Sequence, residues 1–484
     1  MGESMIITNH KSFRSIFIIL IPLLILFATV SLHADASLTA KLDACLSDPA
    51  LAHGIQGVMV QSLKDGVVIY EKNSDLALIP ASNLKLIVSA AALDMIGPDA
   101  KLKTSLYITG PISRDGILKG DVILKGGGDP VFSSEQLAEM AKTLWRLGVK
   151  TVTGNLIADD SMFDDTRLGI GWSWDYESFG YAAQISALNL DGNSVKVWVY
   201  PGKKVGSPAI VKLVPSTSYV AVKNSCVTVA GSIEKTITVE RVHGRNLISV
   251  SGSVPMGSSP SKAEETLSVD DPSMFACRVF AESLKRMGIG IKGGIKRGAC
   301  PSGSRFISSI DSPPISEMIK AMNKSSVNLI AECLLKTLGY RVNGEGKASA
   351  GHKAEREFLQ RAGADMTAVS LIDGSGLSRS NYISARNIST LLKYMHAHKY
   401  SNQFIDSLPI AGVDGTLKNR MKGTSAEGVV KAKTGYVSAV CVISGYTALK
   451  SGEPIAFCIM MNNHLCTNKE AQAIQDQMIT AITD

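Results

Sequence analysis

The feature that most constrains the fold is a segment, residues 101–304, whose predicted secondary structure differs from that of the chain on either side. On either side of this segment, β-rich runs alternate with long helical patterns, whereas within it short β-like runs follow one another with few helices. A chain of 484 residues is also too long for one ordinary hydrophobic core. We therefore expect a multi-domain α/β protein in which residues 37–100 and 305–484 form one discontinuous domain and residues 101–304 form a mainly β insertion.

The opening segment predicts a hairpin and then a helix. "GIQGVMVQSLKDGVVIYEKN" places two β-rich runs around a Lys-Asp-Gly turn. Residues 81–96 contain no glycine or proline, and Gly97-Pro98 ends the helical pattern. Ser82 and Lys85 share one face at its start, where free backbone N–H groups favour a developing anion. A buried, neutral lysine could activate the serine, but this segment taken alone favours a helix-capping serine beside a surface lysine.

Two later polar segments stand out. Ser326 and Asn328, in "NKSSVNLIAECLL", point the same way only if the backbone is extended or turns just before a helix. Lys433, Thr434 and Gly435 form the only K-T-G of the chain, inside a strand-like stretch where a glycine often marks close approach of a ligand or another backbone. The alternatives are a helix cap for the first segment and a bulged edge strand for the second.

An S-x-x-K spacing is a weak signal by itself, because it recurs twice in this chain. Ser232 and Lys235 run into the strand-like "TITVERV", and Ser259 and Lys262 lie in the Pro/Ser-rich "GSSPSKAEE". Only Ser82 begins a predicted helix, so it is the favoured nucleophile of the three.

In their order along the chain, S-x-x-K, S-x-N and K-T-G resemble the signature of penicillin-binding proteins and serine β-lactamases. "LKGGGDP", "ADDSMFD", "LNLDGNSV", "LIDGSGLSRSN" and "LPIAGVDGTLKNR" are similar to one branch, the D-alanyl-D-alanine carboxypeptidase/endopeptidase family of class C low-molecular-mass penicillin-binding proteins. The resemblance covers residues 40–480. It implies a β-lactamase/transpeptidase-like α/β domain with a large insertion, and a serine hydrolase of peptidoglycan stem peptides that β-lactams inhibit.

The resemblance also implies the catalytic roles. Ser82 would be the acylated nucleophile and Lys85 its general base. Ser326 would pass a proton to the leaving amine, and Asn328 would orient Lys85 and the substrate amide. The chemistry needs such a set, because a neutral serine is a poor nucleophile without an adjacent base.

The K-T-G strand would bind the substrate. By resemblance, Lys433 and Thr434 would hold the terminal carboxylate, Gly435 would let the strand approach, and the N–H of Tyr436 would complete an oxyanion hole with that of Ser82. Two positions depart from the family pattern. Val327 stands where aspartate is usual and removes no catalytic atom. Tyr436 stands where threonine is usual, so it keeps the backbone N–H but lacks the hydroxyl that would contact the ligand carboxylate.

A substrate ammonium group would need an acidic partner in the insertion. In the family a carboxylate of the inserted region holds the amino group of a diamino acid side chain. "LIADDSMFDD" matches that place, so we expect Asp159, with Asp160 as the neighbouring alternative, to have this role. The alternative is a pair of aspartates that ends a strand on a solvated turn.

The N-terminus predicts export. Lys11 and Arg14 precede an apolar run at 15–32, and Ala34-Asp35-Ala36 fits a cleavage site, so residues 1–36 are expected to be a signal peptide of a periplasmic or cell-envelope protein. An uncleaved anchor is the alternative, since the run is just long enough to span a bilayer.

Charge and cysteine patterns exclude other classes. The net charge of +7 is mild and no basic run is present, which argues against nucleic-acid binding and leaves open weak peripheral attraction to an anionic membrane or polymer. Without C-x-x-C or H-E-x-x-H patterns a zinc site is not expected, and the resemblance implies no cofactor. The eight scattered cysteines do not reveal a disulfide pairing.

Two further functions compete with the peptidase. A serine β-lactamase shares the three motifs, but the long insertion and the "DGSGLSR" segment argue against it. A catalytically silent wall-binding protein is disfavoured because every motif side chain is present.

Overall fold

The computed structural model describes residues 37–484, so the predicted signal peptide lies outside the described residues. The helices are α1 (37–46), α2 (Lys85–Met95), α3 (Ser134–Arg146), α4 (Pro272–Arg286), α5 (Ile315–Ser325), α6 (Asn328–Asn343), α7 (Ala348–Arg361), α8 (Ala385–His396), α9 (Ser401–Asp406) and α10 (Asn468–Thr483). The strands are β1 (Ile55–Ser62), β2 (Val68–Lys72), β3 (Lys103–Ile108), β4 (Ile117–Leu118), β5 (Val122–Lys125), β6 (Thr151–Val152), β7 (Leu156–Asp159), β8 (Ser194–Tyr200), β9 (Ile210–Val214), β10 (Ala221–Asn224), β11 (Val227–Val229), β12 (Thr238–Arg241), β13 (Leu247–Ser251), β14 (Ser253–Pro255), β15 (Glu265–Ser268), β16 (Gly290–Ile291), β17 (Ile295–Arg297), β18 (Arg305–Asp311), β19 (Lys431–Val437), β20 (Val440–Ala448) and β21 (Pro454–Asn462).

One sheet joins the two ends of the chain. Its strand order is β19-β20-β21-β1-β2, and every neighbouring pair is antiparallel. The predicted hairpin, β1 and β2, therefore adds directly to the last strand, with Val58 opposite Ile459. This pairing confirms the expected α/β fold class, in which the first and last parts of the chain build one sheet.

Both faces of this sheet are covered, because the strand residues alternate between two apolar cores. Val58 and Val60 of β1 pack with α1 and α10, whereas Met59 between them packs with α2, α5, α6 and α8. Fully burying such a side chain stabilises a fold by about 1.5–3 kcal/mol. The sheet is thus a rigid support for β19, its edge strand nearest the polar segments.

Residues 103–311 build separate sheets around a third apolar core. A five-stranded mixed sheet has the order β17-β7-β5-β3-β18, and smaller sheets join the remaining strands, with α3 and α4 packed on them. The mainly β pattern is confirmed. Because β18 pairs with β3, the inserted sheet extends to Asp311, beyond the expected boundary at 304.

Two general features of the described residues concern membrane-spanning helices and cysteines. Within residues 37–484, no helix combines the length and apolar character needed to cross a bilayer. All eight cysteines fall in this range and are free thiols, most of them buried as small apolar side chains.

Candidate active site

Ser82 and Lys85 lie in contact at the start of α2. A single 3-10 turn, Ala81–Leu84, precedes the helix, and Ala81 has a left-handed backbone with φ of 45°. The turn directs Ser82 to Lys85, whose Nζ lies 2.8 Å from Ser82 Oγ. Lys85 is 0% exposed, and no side chain caps the start of either helical segment. The alternative of a capping serine beside a surface lysine is therefore wrong.

The Lys85 amine has two further partners from distant parts of the chain. Its Nζ donates to Asn328 Oδ1 at 2.7 Å and to the Ser375 carbonyl oxygen at 2.6 Å. A neutral amine has two N–H donors and one lone pair. When these two oxygens accept both donors, the lone pair is left facing Ser82 Oγ, which is the arrangement that a general base requires.

The electrostatics of the pocket favour this neutral form. Burial lowers the pKa of Lys85 to about 7, against the opposing effect of the Asp373 and Glu332 carboxylates. Near neutral pH a substantial fraction of Lys85 is therefore unprotonated, whereas an exposed lysine would be almost fully charged.

The S-x-N segment is a tight turn between two helices. Ser326 ends α5 in a left-handed conformation with φ of 57°, and Asn328 opens α6. This is the turn just before a helix that would let both side chains point the same way. Val327 between them is 37% exposed, and Asn328 Nδ2 donates to the Tyr181 carbonyl of the inserted segment at 2.8 Å.

The K-T-G segment lies on β19, an edge strand whose register with β20 is continuous and has no bulge. Lys433 is 0% exposed, and its Nζ donates to Ser326 Oγ at 2.9 Å and to the Thr434 carbonyl at 2.7 Å. Burial, and secondarily the charge of Lys85, hold the pKa of Lys433 well below its ordinary value. The Thr434 hydroxyl donates to the hydroxyl of Thr416 at 2.6 Å. These groups form a compact set of donors beside Ser82.

Two glycines let other segments reach the turn that carries Ser82. A Cβ at Gly435 would lie 2.7 Å from the Pro80 carbonyl oxygen and 3.0 Å from the Ser82 nitrogen. A Cβ at Gly376, where φ is 79°, would overlap the Ala81 carbonyl oxygen. Both positions therefore exclude a side chain, as expected for Gly435 from its place inside a strand.

A pocket of about 510 Å³ opens over these residues. Its floor contains Ser82, Ser326 and Asn328, and β19 forms one wall. The inserted segment supplies Tyr176 and Tyr181, whose rings meet edge to face with centroids 5.6 Å apart. Further lining residues are Gly376, Leu377, Thr416, Thr434, Tyr436, Val437 and Ser438.

The structure does not bring Asp159 to this pocket. Its carboxylate is 1% exposed and accepts hydrogen bonds from the Ser161 N–H at 3.0 Å, the Ser161 hydroxyl at 2.6 Å and the Cys300 N–H at 2.8 Å. Lys125 Nζ lies 3.5 Å away. Asp160 instead pairs with Arg297 at 2.7 Å. The expectation that Asp159 holds a substrate amine is corrected by this burial, because both of its oxygens already have partners.

Other residues of the site were not singled out from the sequence. Lys85 is surrounded by Glu332, Asp373 and Ser375. In the sequence, these residues were marked only by an acidic residue one helical turn after Asn328 and by the "DGSG" segment, whose role was unexplained. Nothing in the sequence indicated that Tyr176 and Tyr181 belong to the site, since their contact with the pocket depends on how the insertion packs against the rest of the chain. Among residues 37–484, no group of histidine, cysteine, aspartate and glutamate side chains is arranged to hold a metal ion.

The comparisons with known proteins identify a family. A model of the D-Ala-D-Ala carboxypeptidase 3 (S13) family matches residues 38–484. A D-alanyl-D-alanine carboxypeptidase of Actinomadura sp. (strain R39) is 37% identical over 485 residues, which cover 96% of this chain and 89% of that protein.

Solved structures share the fold. The crystal structure of penicillin binding protein 4 from Haemophilus influenzae superposes with a TM-score of 0.78 at 24% identity, over 92% of this chain and 98% of that one. The same protein in complex with a β-lactam superposes with a TM-score of 0.73 at 22% identity, over 91% and 98% of the two chains. The fold therefore extends over both the sheet that joins the chain ends and the inserted segment.

Proposed function

This chain belongs to the D-Ala-D-Ala carboxypeptidase 3 (S13) family and is a serine-type D-Ala-D-Ala carboxypeptidase, and from that premise we propose which of its residues carry the reaction. Ser82 is the nucleophile and Lys85 its base. The observation that carries this assignment is the 2.8 Å contact between Ser82 Oγ and a Lys85 amine that is 0% exposed. Burial supplies the neutral base that a serine nucleophile requires.

Acylation begins when neutral Lys85 accepts the Ser82 hydroxyl proton. Ser82 Oγ then attacks the carbonyl carbon of the penultimate D-alanine. The resulting oxyanion accepts hydrogen bonds from the N–H groups of Ser82 and Tyr436, and in related acyl transfers one such donor contributes about 3 kcal/mol. The C–N bond breaks, and the proton passes from Lys85 through Ser326 to the leaving D-alanine amine. An ester on Ser82 remains.

Deacylation repeats the proton transfers with water. Lys85 accepts a proton from water, and the hydroxide formed attacks the ester carbonyl. The C–O bond to Ser82 breaks, and the proton held by Lys85 returns to Ser82 Oγ. Asn328 keeps Lys85 aligned during both steps through its 2.7 Å hydrogen bond.

Lys433 and Thr434 bind the terminal carboxylate of the substrate. The carboxylate favours the protonated form of Lys433, which burial otherwise disfavours. A charged Lys433 in turn disfavours a second charge on Lys85, since the two amines lie on either side of the Ser82 and Ser326 hydroxyls. Substrate binding thus holds the base in its neutral form.

The substrate class is peptidoglycan stem peptides that end in D-Ala-D-Ala, which is the class that the family implies. β-Lactams bind as covalent inhibitors because their ring amide takes the place of the scissile bond, and the Haemophilus protein with the same fold has been solved in complex with one. Cleavage of cross-links as an endopeptidase remains a prediction. A serine β-lactamase would differ by turning penicillin over rapidly, whereas the peptidase keeps a stable acyl-enzyme.

The chain organisation and location are part of this proposal. Residues 37–100 and the part of the chain that follows the inserted sheet form the catalytic unit, and the inserted segment contributes Tyr176 and Tyr181 to its pocket. Action on cell-wall peptides requires export to the periplasm or cell envelope, which the predicted signal peptide at 1–36 would provide. Peripheral association with an anionic surface, through the net charge of +7, remains a prediction.

The proposal is tested by release of D-alanine from a peptide that ends in D-Ala-D-Ala. Wild type should release it, and Ser82→Ala should not, while both melt at similar temperatures. Ser232→Ala is the matched control, since Ser232 has the same S-x-x-K spacing on an exposed turn. Equal rates for Ser82→Ala and wild type would contradict the assignment.

A further inference from the structure

The "DGSG" segment, residues 373–376, forms a buried loop that reaches the catalytic lysine. Its Ser375 carbonyl accepts a hydrogen bond from Lys85 Nζ at 2.6 Å. Its Gly376 lies against the Ala81 carbonyl, directly before the nucleophile. The loop therefore contacts both members of the Ser82–Lys85 pair, one through an oxygen and the other through the backbone.

Two buried carboxylates, Glu332 of α6 and Asp373 of the loop itself, accept the backbone N–H groups of this loop. Glu332, 2% exposed, accepts the N–H of Gly374 at 3.1 Å and the N–H of Ser375 at 2.8 Å. Asp373, 1% exposed, accepts the N–H of Gly376 at 2.8 Å. It also accepts hydrogen bonds from the Ser378 N–H, the Asn381 amide and the Trp172 indole. Since a loop with few side chains has little packing of its own, these hydrogen bonds determine where the Ser375 carbonyl lies.

Glu332 is also linked to the site through its helix. Asn328 and Glu332 are four residues apart on α6, so they share one helix face. Asn328 contacts Lys85 directly, and Glu332 acts on the same amine through Ser375. One turn of α6 thus supplies two of the constraints on the base.

We propose that Glu332 is a positioning residue for acylation: by accepting the N–H groups of Gly374 and Ser375, it holds the Ser375 carbonyl where that oxygen keeps Lys85 on Ser82. The inference rests on the proposed function, in which Lys85 is the base. It gives the "DGSG" segment a role that its sequence did not reveal.

The charge of Glu332 has a second consequence. Its carboxylate and that of Asp373 both raise the pKa of Lys85 against the larger effect of burial, and the result is about 7. Burial, and then the charge of Asp373, raise the pKa of Glu332 itself to about 7. Removing the Glu332 charge should therefore lower the pKa of Lys85 and let the base lose its proton at lower pH.

Other charged groups face this cluster from several elements. On α7, the His352 imidazole pairs with Glu355 at 2.8 Å, and the charge of Glu332 acts on His352 while that of Asp373 acts on Glu355. On β19, Lys433 faces Lys85 from the other side. On the next turn of α6, Lys336 is paired with Asp164 of the inserted segment. Asp373 and Glu332 both accept loop N–H groups and both raise the pKa of Lys85, but the N–H of Ser375 itself is accepted by Glu332.

The test is the pH dependence of acylation by a labelled penicillin. Glu332→Gln keeps an oxygen for the loop N–H groups but removes the charge, so its maximal rate should stay within about threefold of wild type while the acid-side midpoint moves down by about half a pH unit or more. Glu332→Asp keeps the charge but is one methylene too short to reach the loop. Its maximal rate should fall about tenfold or more, with a smaller shift of the midpoint.

Glu355→Gln is the matched control, a second buried carboxylate whose hydrogen-bond partner is His352 rather than a backbone N–H of the loop. It should leave the midpoint where wild type has it. A shift in this control as large as that in Glu332→Gln, or wild-type rates and midpoints in both Glu332 variants, would overturn the inference. If Glu332→Gln melts below the assay temperature, Glu332→Asp is the remaining test. A wild-type maximal rate for Glu332→Asp would then overturn the inference. Failure of wild type to label at Ser82 would instead overturn the proposed function.

Discussion

Gly435 lies so close to Ser82 that a Cβ at position 435 would be 3.0 Å from the Ser82 nitrogen. The edge strand β19 can approach the nucleophile only because this residue has no side chain. In the amide orientation that gives both of its atoms a partner, Asn83 accepts the Gly435 N–H at 3.0 Å and donates to the Lys433 carbonyl at 3.1 Å. The strand and the nucleophile turn are therefore joined by hydrogen bonds as well as by close contact.

Gly435→Ala should separate β19 from the Ser82 turn. The added methyl group would press on the Pro80 carbonyl and the Ser82 nitrogen and displace the oxyanion donors, so kcat/KM should fall about ten- to a hundredfold. Steady-state hydrolysis of a D-Ala-D-Ala peptide measures this loss. Gly290→Ala is the control, because a Cβ there meets nothing within 4 Å, and an equal loss in both variants would contradict the steric argument.

Lys85→Ala should reduce acylation by about two to four orders of magnitude, because it removes the base. In wild type the rate should rise as pH increases through about 7, since the lowered pKa of Lys85 makes the amine neutral above that value. Stopped-flow acylation between pH 5 and pH 9 records both effects. A rate that is still low at pH 8 and still rising steeply at pH 9, as an ordinary lysine pKa of about 10.4 would give, would contradict a buried base.

Lys433→Ala should mainly weaken capture of the substrate carboxylate. Wild type should prefer a peptide with a free C-terminal carboxylate over the same peptide amidated at its C-terminus, and the variant should lose most of that preference. Comparing kcat/KM for both peptides with wild type and with the variant separates loss of the Lys433–carboxylate contact from a loss of activity that affects both peptides equally. A variant that keeps the wild-type preference would place carboxylate recognition elsewhere.

Asp159→Asn should affect folding rather than substrate choice. One oxygen of Asp159 accepts two hydrogen bonds from Ser161 and the other accepts the Cys300 N–H, so an amide nitrogen would face a donor and cost about 1–3 kcal/mol. Thermal melting should show this loss, while the ratio of kcat/KM for peptides with and without a free side-chain amine stays as in wild type. A changed ratio with unchanged melting would restore Asp159 to a role in recognition.

The fold was largely predictable because its signals are local. The Lys-Asp-Gly turn specified the β1–β2 hairpin, and the glycine-free run before Gly97-Pro98 specified α2. The pairing of β18 with β3 was not predictable, since it joins segments about 200 residues apart and no local pattern records it. The 3-10 turn before α2 was also not visible in the residue pattern.

The candidate site was predictable where a motif carries its own chemistry. Lys85 is hydrogen-bonded directly to Ser82 and Asn328, and Lys433 to Ser326. Residues that act through tertiary contacts were not predictable. Asp159 looked like a free carboxylate because its partner at position 300 is distant in sequence, and Glu332 looked like a single acidic residue in an apolar helix.

The identity of the acylated residue tests the central claim most directly. After reaction with a labelled penicillin, intact-mass analysis and peptide mapping should find one label per chain, on Ser82, in wild type and in the Ser259→Ala control. Ser82→Ala should remain folded and unlabelled. A label on any other residue of wild type, or one that persists in Ser82→Ala, would contradict the account.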